Sequence, residues 1–172
     1  MLKRHFAYSA KVALRLTMKS FVGVSLFLMI SLPALADITG SVSACLKEPW
    51  LPNKIKCLSA AAVGERNAQV CLWDENPAVR WVCVAKYAEH VGDSSSCDII
   101  PAMELNGISR DLCRGHLAIV WLKPALCQEL TTEALRDPCF HKLVEIGGDK
   151  SICREIDNSK RRSVCEDTEY KR

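Results

Sequence analysis

Apolar positions along this chain follow two regimes. From Phe21 to Leu32 they are nearly continuous, whereas after residue 40 they recur at helical spacing between polar residues. Cys113, Leu117 and Val120 stand at i, i+4 and i+7, and Cys139, Leu143 and Ile146 repeat that spacing. Alternation of the kind that marks strands is nearly absent. The pattern predicts an all-α chain.

The cysteines give this pattern its beat. They stand at 45, 57, 71, 83, 97, 113, 127, 139, 153 and 165, with successive gaps of 12, 14, 12, 14, 16, 14, 12, 14 and 12. The alternation defines five units with a period of 26 residues, of which the third alone is longer, by four residues within Ile99 to Ser109. Four residues before the first cysteine of each unit stand Ser41, Asn67, Asp93, Lys123 and Asp149; four of the five are N-capping types, and Lys123 precedes Pro124. Seven residues before the second cysteine stand Trp50, Asn76, Asn106, Thr132 and Asn158, again four caps in five. Gly92, Gly147 and Gly148 suit the ends of the longer helices. Each unit thus reads as a helix of about two turns, a tight turn, and a helix of about three or four turns. The whole is a solenoid-like tandem array of five helix-turn-helix units. Pro138 fits badly, because it should break a turn inside the fourth long helix or make that helix restart at Asp137-Pro138.

Parity selects the disulfides. Pairing across the 14-residue gaps strands Cys45 and Cys165, whereas pairing across the shorter gaps uses every cysteine. In a hairpin the two cysteines of one unit sit at similar distances from the turn and can face each other. The expected bridges are Cys45–Cys57, Cys71–Cys83, Cys97–Cys113, Cys127–Cys139 and Cys153–Cys165, one per hairpin. A two-turn helix is unstable alone and one hairpin buries little apolar surface. Closing a loop of this size contributes about 2–3 kcal/mol in the chain-entropy model.

Composition then changes the picture at the N-terminus. Lys3, Arg4, Lys11, Arg15 and Lys19 precede the Phe21–Leu32 run, and Ala34-Leu35-Ala36 offers small residues before Asp37. This is the layout of a signal peptide spanning 1–36, with Met18 a candidate true start. About 136 residues, 37–172, then form a single disulfide-rich domain. Val42-Ser43-Ala44-Cys45 resembles a lipobox, so lipidation of Cys45 is the competing processing event and the one route, besides the leader, to a membrane. The complete chain carries +3, but the five leader cations are lost on cleavage, leaving 18 basic against 20 acidic groups. No basic field remains to attract nucleic acid. An even cysteine count behind a leader points to an oxidising compartment, periplasmic or secreted.

Candidate chemistry is sparse. No close cysteine pair offers two thiolates to one zinc ion, and no C-x-x-C redox motif is present. His90, His116 and His141 read as partly exposed helix residues, and no nucleophile motif accompanies them. Glu166 and Asp167 read as a solvated polar end of the array. No cofactor, metal or enzymatic activity is expected. Three residues before each second cysteine a basic residue recurs, at Lys54, Arg80, Arg110, Arg136 and Arg162. Its recurrence favours a local structural bond to a carbonyl or carboxylate over a ladder for acidic ligands. The apolar run Leu117 to Leu122 is expected to be buried by both neighbouring units. The competing reading makes the enlarged hairpin, with Met103, part of a partner surface together with Trp121, Trp73 and Trp81.

Regularly paired cysteines in helix-turn-helix units are seen in Cys127-Gln128-Glu129-Leu130 through Cys139 and in Cys153-Arg154-Glu155-Ile156 through Cys165. Over residues 41–169 this architecture resembles the exported Sel1-like cysteine-rich repeat proteins. The resemblance implies a protein-interaction scaffold. The expected function is therefore an exported, non-catalytic module that binds a protein or cell-envelope component. An inhibitor or immunity protein against an envelope-acting enzyme is a narrower alternative; a lipid-anchored structural component and a small envelope enzyme are the others.

Overall fold

The structure, a computed structural model, describes residues 40–147 and 149–168; the leader with Met18 and its cleavage site, and Gly148, lie outside them. The helices are α1 (40–46), α2 (Leu51–Gly64), α3 (Pro77–Val91), α4 (Ile108–Trp121), α5 (Pro124–Gln128), α6 (Glu133–Gly147) and α7 (Ser159–Glu166). Short 3₁₀ segments at Ala68–Trp73, Ser94–Ile99 and Lys150–Glu155 supply the first helix of units 2, 3 and 5. No strand occurs among the described residues. The array is all-α, five hairpins in sequence, and its long helices pack in chain order: α2 on α3, α3 on α4, α4 on α6, α6 on α7.

The five bridges join the two cysteines of each unit, with Cα–Cα separations from 5.4 Å in unit 1 to 5.9 Å in unit 3. Such separations are ordinary for a disulfide and follow from placing one cysteine on each arm of a hairpin. The bridges join one continuous core in which Leu58, Val84, Leu117, Phe140 and Leu143 are fully enclosed.

Five of the expected caps accept a backbone N–H from the first turn: Asn67 from Gln69, Asn76 from Ala78, Asp93 from Ser95, Asp149 from Ser151 and Asn158 from Arg161. Other local details differ from the sequence reading. Three of the first helices are 3₁₀ rather than α. In these segments bonds to the third preceding residue, such as Val70 to Asn67 and Ser96 to Asp93, close the turn. Ser41 lies inside α1 rather than before it. Asn106 is not a cap, because the four-residue insertion shifts the start of α4 to Ile108. Leu105, Asn106 and Gly107 are consecutive left-handed residues there (φ 48°, 57° and 86°), a turn that suits glycine last. Thr132 precedes α6, but its hydroxyl is buried without a partner among the described residues. Pro138 neither breaks nor restarts α6, which begins at Glu133 and runs through it. The central run is enclosed only on one side: Leu117 and Ala118 are buried, whereas Val120 and Leu122 are exposed. The neighbouring helices cover one face of α4, not its whole circumference.

Candidate functional site

The recurrent basic residues are fasteners. Lys54 Nζ lies 3.2 Å from the buried carboxylate of Asp74 in the next unit. Arg80 pairs with buried Glu104, and Arg136 pairs with Asp157, each again one unit ahead. The same position also closes its own turn. Arg80 donates to the carbonyl of Asp74, Arg110 to Ile100 and Arg162 to Ile156, each acceptor three residues after the first cysteine of the unit. All five cations are thus engaged within the molecule, as the structural reading expected.

Two further acids hold neighbouring units together, and they occupy the same repeat position, two residues before the second cysteine. Asp111 and Asp137 are each 1% exposed. Asp111 Oδ2 accepts from the Thr131 amide (2.9 Å) and the Thr131 hydroxyl (2.7 Å), twenty residues ahead in the next unit. Asp137 Oδ1 accepts from the Asp157 amide at 3.3 Å, and Oδ2 from the Asn158 amide at 3.4 Å. Each carboxylate therefore ties down the hairpin turn that follows it. Their remaining valences differ. Asp137 Oδ2 also meets Arg161 Nη1 at 3.4 Å, whereas Asp111 Oδ1 is buried with no hydrogen-bond partner among the described residues.

A groove opens beside each of these acids. The groove between units 4 and 5 encloses about 420 Å³ and is lined by Asp137, Pro138, His141, Lys160, Arg161 and Val164. The groove between units 3 and 4 encloses about 300 Å³; its wall includes Trp81, Asp111, Leu112, Gly115, Leu130 and Leu135. One period separates them: Asp111, Leu112, Gly115 and Leu135 stand 26 residues before Asp137, Pro138, His141 and Arg161. They are one site made twice. In the later copy His141 and Arg161 project charge or polarity into the space. In the earlier copy glycine and leucine replace them, and the wall is apolar apart from Asp111 itself and His116.

The four residues singled out as a partner surface do not share one site. Trp81 lines the Asp111 groove, while Trp73 borders a separate hollow with Leu46, Lys54 and Asp74. Trp121 is half-buried at the end of α4, with Lys123 Nζ 5.0 Å from its ring centre. Met103 stands 83% exposed on the enlarged hairpin, and Trp50, not counted in that surface, is 71% exposed. Of the histidines, His90 is exposed, His141 Nε2 lies 2.8 Å from the Thr168 hydroxyl, and His116 Nε2 lies 3.5 Å from Glu89. The Glu89 carboxyl is held below its ordinary value, first by the Lys86 hydrogen bond, which outweighs the opposing effect of burial, with the Lys86 charge and then His116 adding to the lowering. Among the described residues no cluster of His, Cys, Asp or Glu is arranged to hold a metal ion. Sequence reasoning missed Asp111 and Asp137 because isolated acids on a helix resemble solvated ones. The available signal was their shared register, since the equivalent positions in units 1 and 2 are the apolar Ile55 and Trp81.

Comparison with family models, curated proteins and solved structures finds no match to this chain. The functional reading therefore rests on the fold and the groove.

Proposed function

We propose that this chain is an exported, non-catalytic binding module, periplasmic or secreted, which engages a protein or cell-envelope component through the groove between units 3 and 4. The observation that carries this reading is the enclosed Asp111 carboxylate beside an open apolar cleft, on a frame closed by five disulfides. A buried carboxylate ordinarily has all its acceptor sites occupied, and a binding surface is a place where that rule is relaxed until the partner arrives. Bridges at every unit suit an oxidising compartment. Among the described residues no helix is long and apolar enough to cross a membrane.

The test is affinity capture from cell-envelope extract with the oxidised protein as bait. Reduced protein and a groove-filled Leu135→Trp variant serve as controls. The expected result is a partner retained by the oxidised wild type and lost with both controls. Equal recovery on all three baits would remove the groove from the account. The export half is checked by mass spectrometry of the mature protein, whose first residue is expected to be Asp37.

A further inference from the structure

We infer that the groove between units 3 and 4 takes an arginine side chain from a partner polypeptide, its guanidinium on Asp111 and its aliphatic stem on the apolar wall. This inference rests on the binding-module reading above and gives it a chemistry.

The repeat itself supplies the precedent. Asp137, as deeply enclosed as Asp111 and one period later, receives a guanidinium from Arg161 through the equivalent groove. A cation can therefore reach an acid at this depth without dismantling the hairpins. At the corresponding place beside Asp111 the chain carries Leu135 instead of an arginine, and the one basic side chain in the lining, His116, has its Nε2 3.5 Å from Glu89. The acceptor left over is specific: Thr131 occupies Oδ2 twice, and Oδ1 has nothing.

The surroundings match the remainder of an arginine. Trp81, Ile119, Leu130 and Leu135 give an apolar lining, against which a three-carbon stem packs while its charged head is held at the acid. Gly115 keeps the passage open: a Cβ there would meet only Leu130, at 3.7 Å, whereas the later copy fills the same place with the His141 ring. A guanidinium is more weakly hydrated than the compact ammonium of lysine and so enters an apolar cleft more readily.

The experiment uses the oxidised mature protein labelled with ¹⁵N and a short blocked peptide carrying arginine between two leucines. The counterpart peptide carries citrulline, which keeps the shape and removes the charge. The arginine peptide is expected to shift the Thr131 and Gly115 amides saturably, and citrulline to weaken binding about tenfold or more. Leu135→Arg supplies the guanidinium in cis, as Arg161 does for Asp137, and is expected to abolish binding while the amide spectrum of units 1, 2 and 5 stays unchanged. Asp111→Asn should weaken binding in the same way, and the Leu135→Arg result stands even if that variant folds poorly.

Equal binding of the citrulline peptide would overturn the inference, as would the absence of any shift at Thr131 and Gly115. A wild-type dimer that Leu135→Arg dissociates would also overturn it, by making a second copy the occupant. Envelope capture separates the two levels. A partner retained equally by wild type and Leu135→Arg removes the arginine site and leaves the binding module standing. Peptide binding without any captured partner removes the module reading alone.

Discussion

Asp111 and Thr131 lie twenty positions apart in sequence and touch through two hydrogen bonds. Asp111→Ala removes both hydrogen bonds to Thr131 at a part-buried contact, and is expected to cost about 1–3 kcal/mol, read by chemical denaturation of the oxidised protein. A second buried acid gives a sharper contrast. Arg80→Ala strips Glu104 of its counter-ion and should cost about 2–4 kcal/mol, somewhat below the figure for a fully enclosed pair because Arg80 is partly open to water. Replacing both, as Arg80→Met with Glu104→Leu, should recover most of that loss, since no charge is then left enclosed. The capping acids make a prediction in pH. Asp93 and Asp149 are held below the ordinary aspartate value of 3.8, chiefly by hydrogen bonds from the Ser95 and Ser151 side chains, with the amides adding to them. A carboxyl depressed in the folded state contributes stability that is fully present above its unfolded value and is lost as pH falls through the folded one. Denaturation midpoints should therefore decline below about pH 4, and Asp93→Asn with Asp149→Asn should flatten that decline while keeping the caps.

At the scale of the element, the hairpin is the unit that sequence could reveal. Cysteine parity fixes the pairing because any other nearest-neighbour scheme strands the outer two, and Asn67, Asn76, Asp93, Asp149 and Asn158 mark helix starts because a short side-chain oxygen there has a definite bonding task. Where a second influence enters, reading from sequence stops. Asn106 has a capping side chain, but the four added residues around it turn the backbone left-handed and hand the start of α4 to Gly107. Pro138 looks like a breaker, yet α6 tolerates it, since tertiary packing outweighs one missing backbone bond. The candidate site was legible only in part. Trp81 was named for its aromatic bulk, but Asp111, Gly115 and Leu135 acquire meaning only when units 3 and 4 are placed side by side. Removing one bridge tests the independence of the hairpins. Cys97→Ala with Cys113→Ala should cost about 2–4 kcal/mol. Amide exchange should quicken first in α4 and its neighbours α3 and α6, while α7 keeps its protection.

For the whole molecule, the links between hairpins made from the two positions just before each second cysteine run forward. Lys54, Arg80, Asp111, Arg136 and Asp137 each reach forward to the turn of the unit that follows. The array accordingly has a head and a tail, and its two ends are not interchangeable. In unit 5 the position held by Asp111 and Asp137 is occupied by exposed Ser163. A chain built on such one-way couplings can be lengthened from the inside. A duplicate of the 26 residues of unit 4, spliced in behind the original, would present its own aspartate to unit 5 and find the original's aspartate waiting for its turn. The step by which such an array would grow is thus set by the carboxylate that units 3 and 4 each offer to the unit ahead.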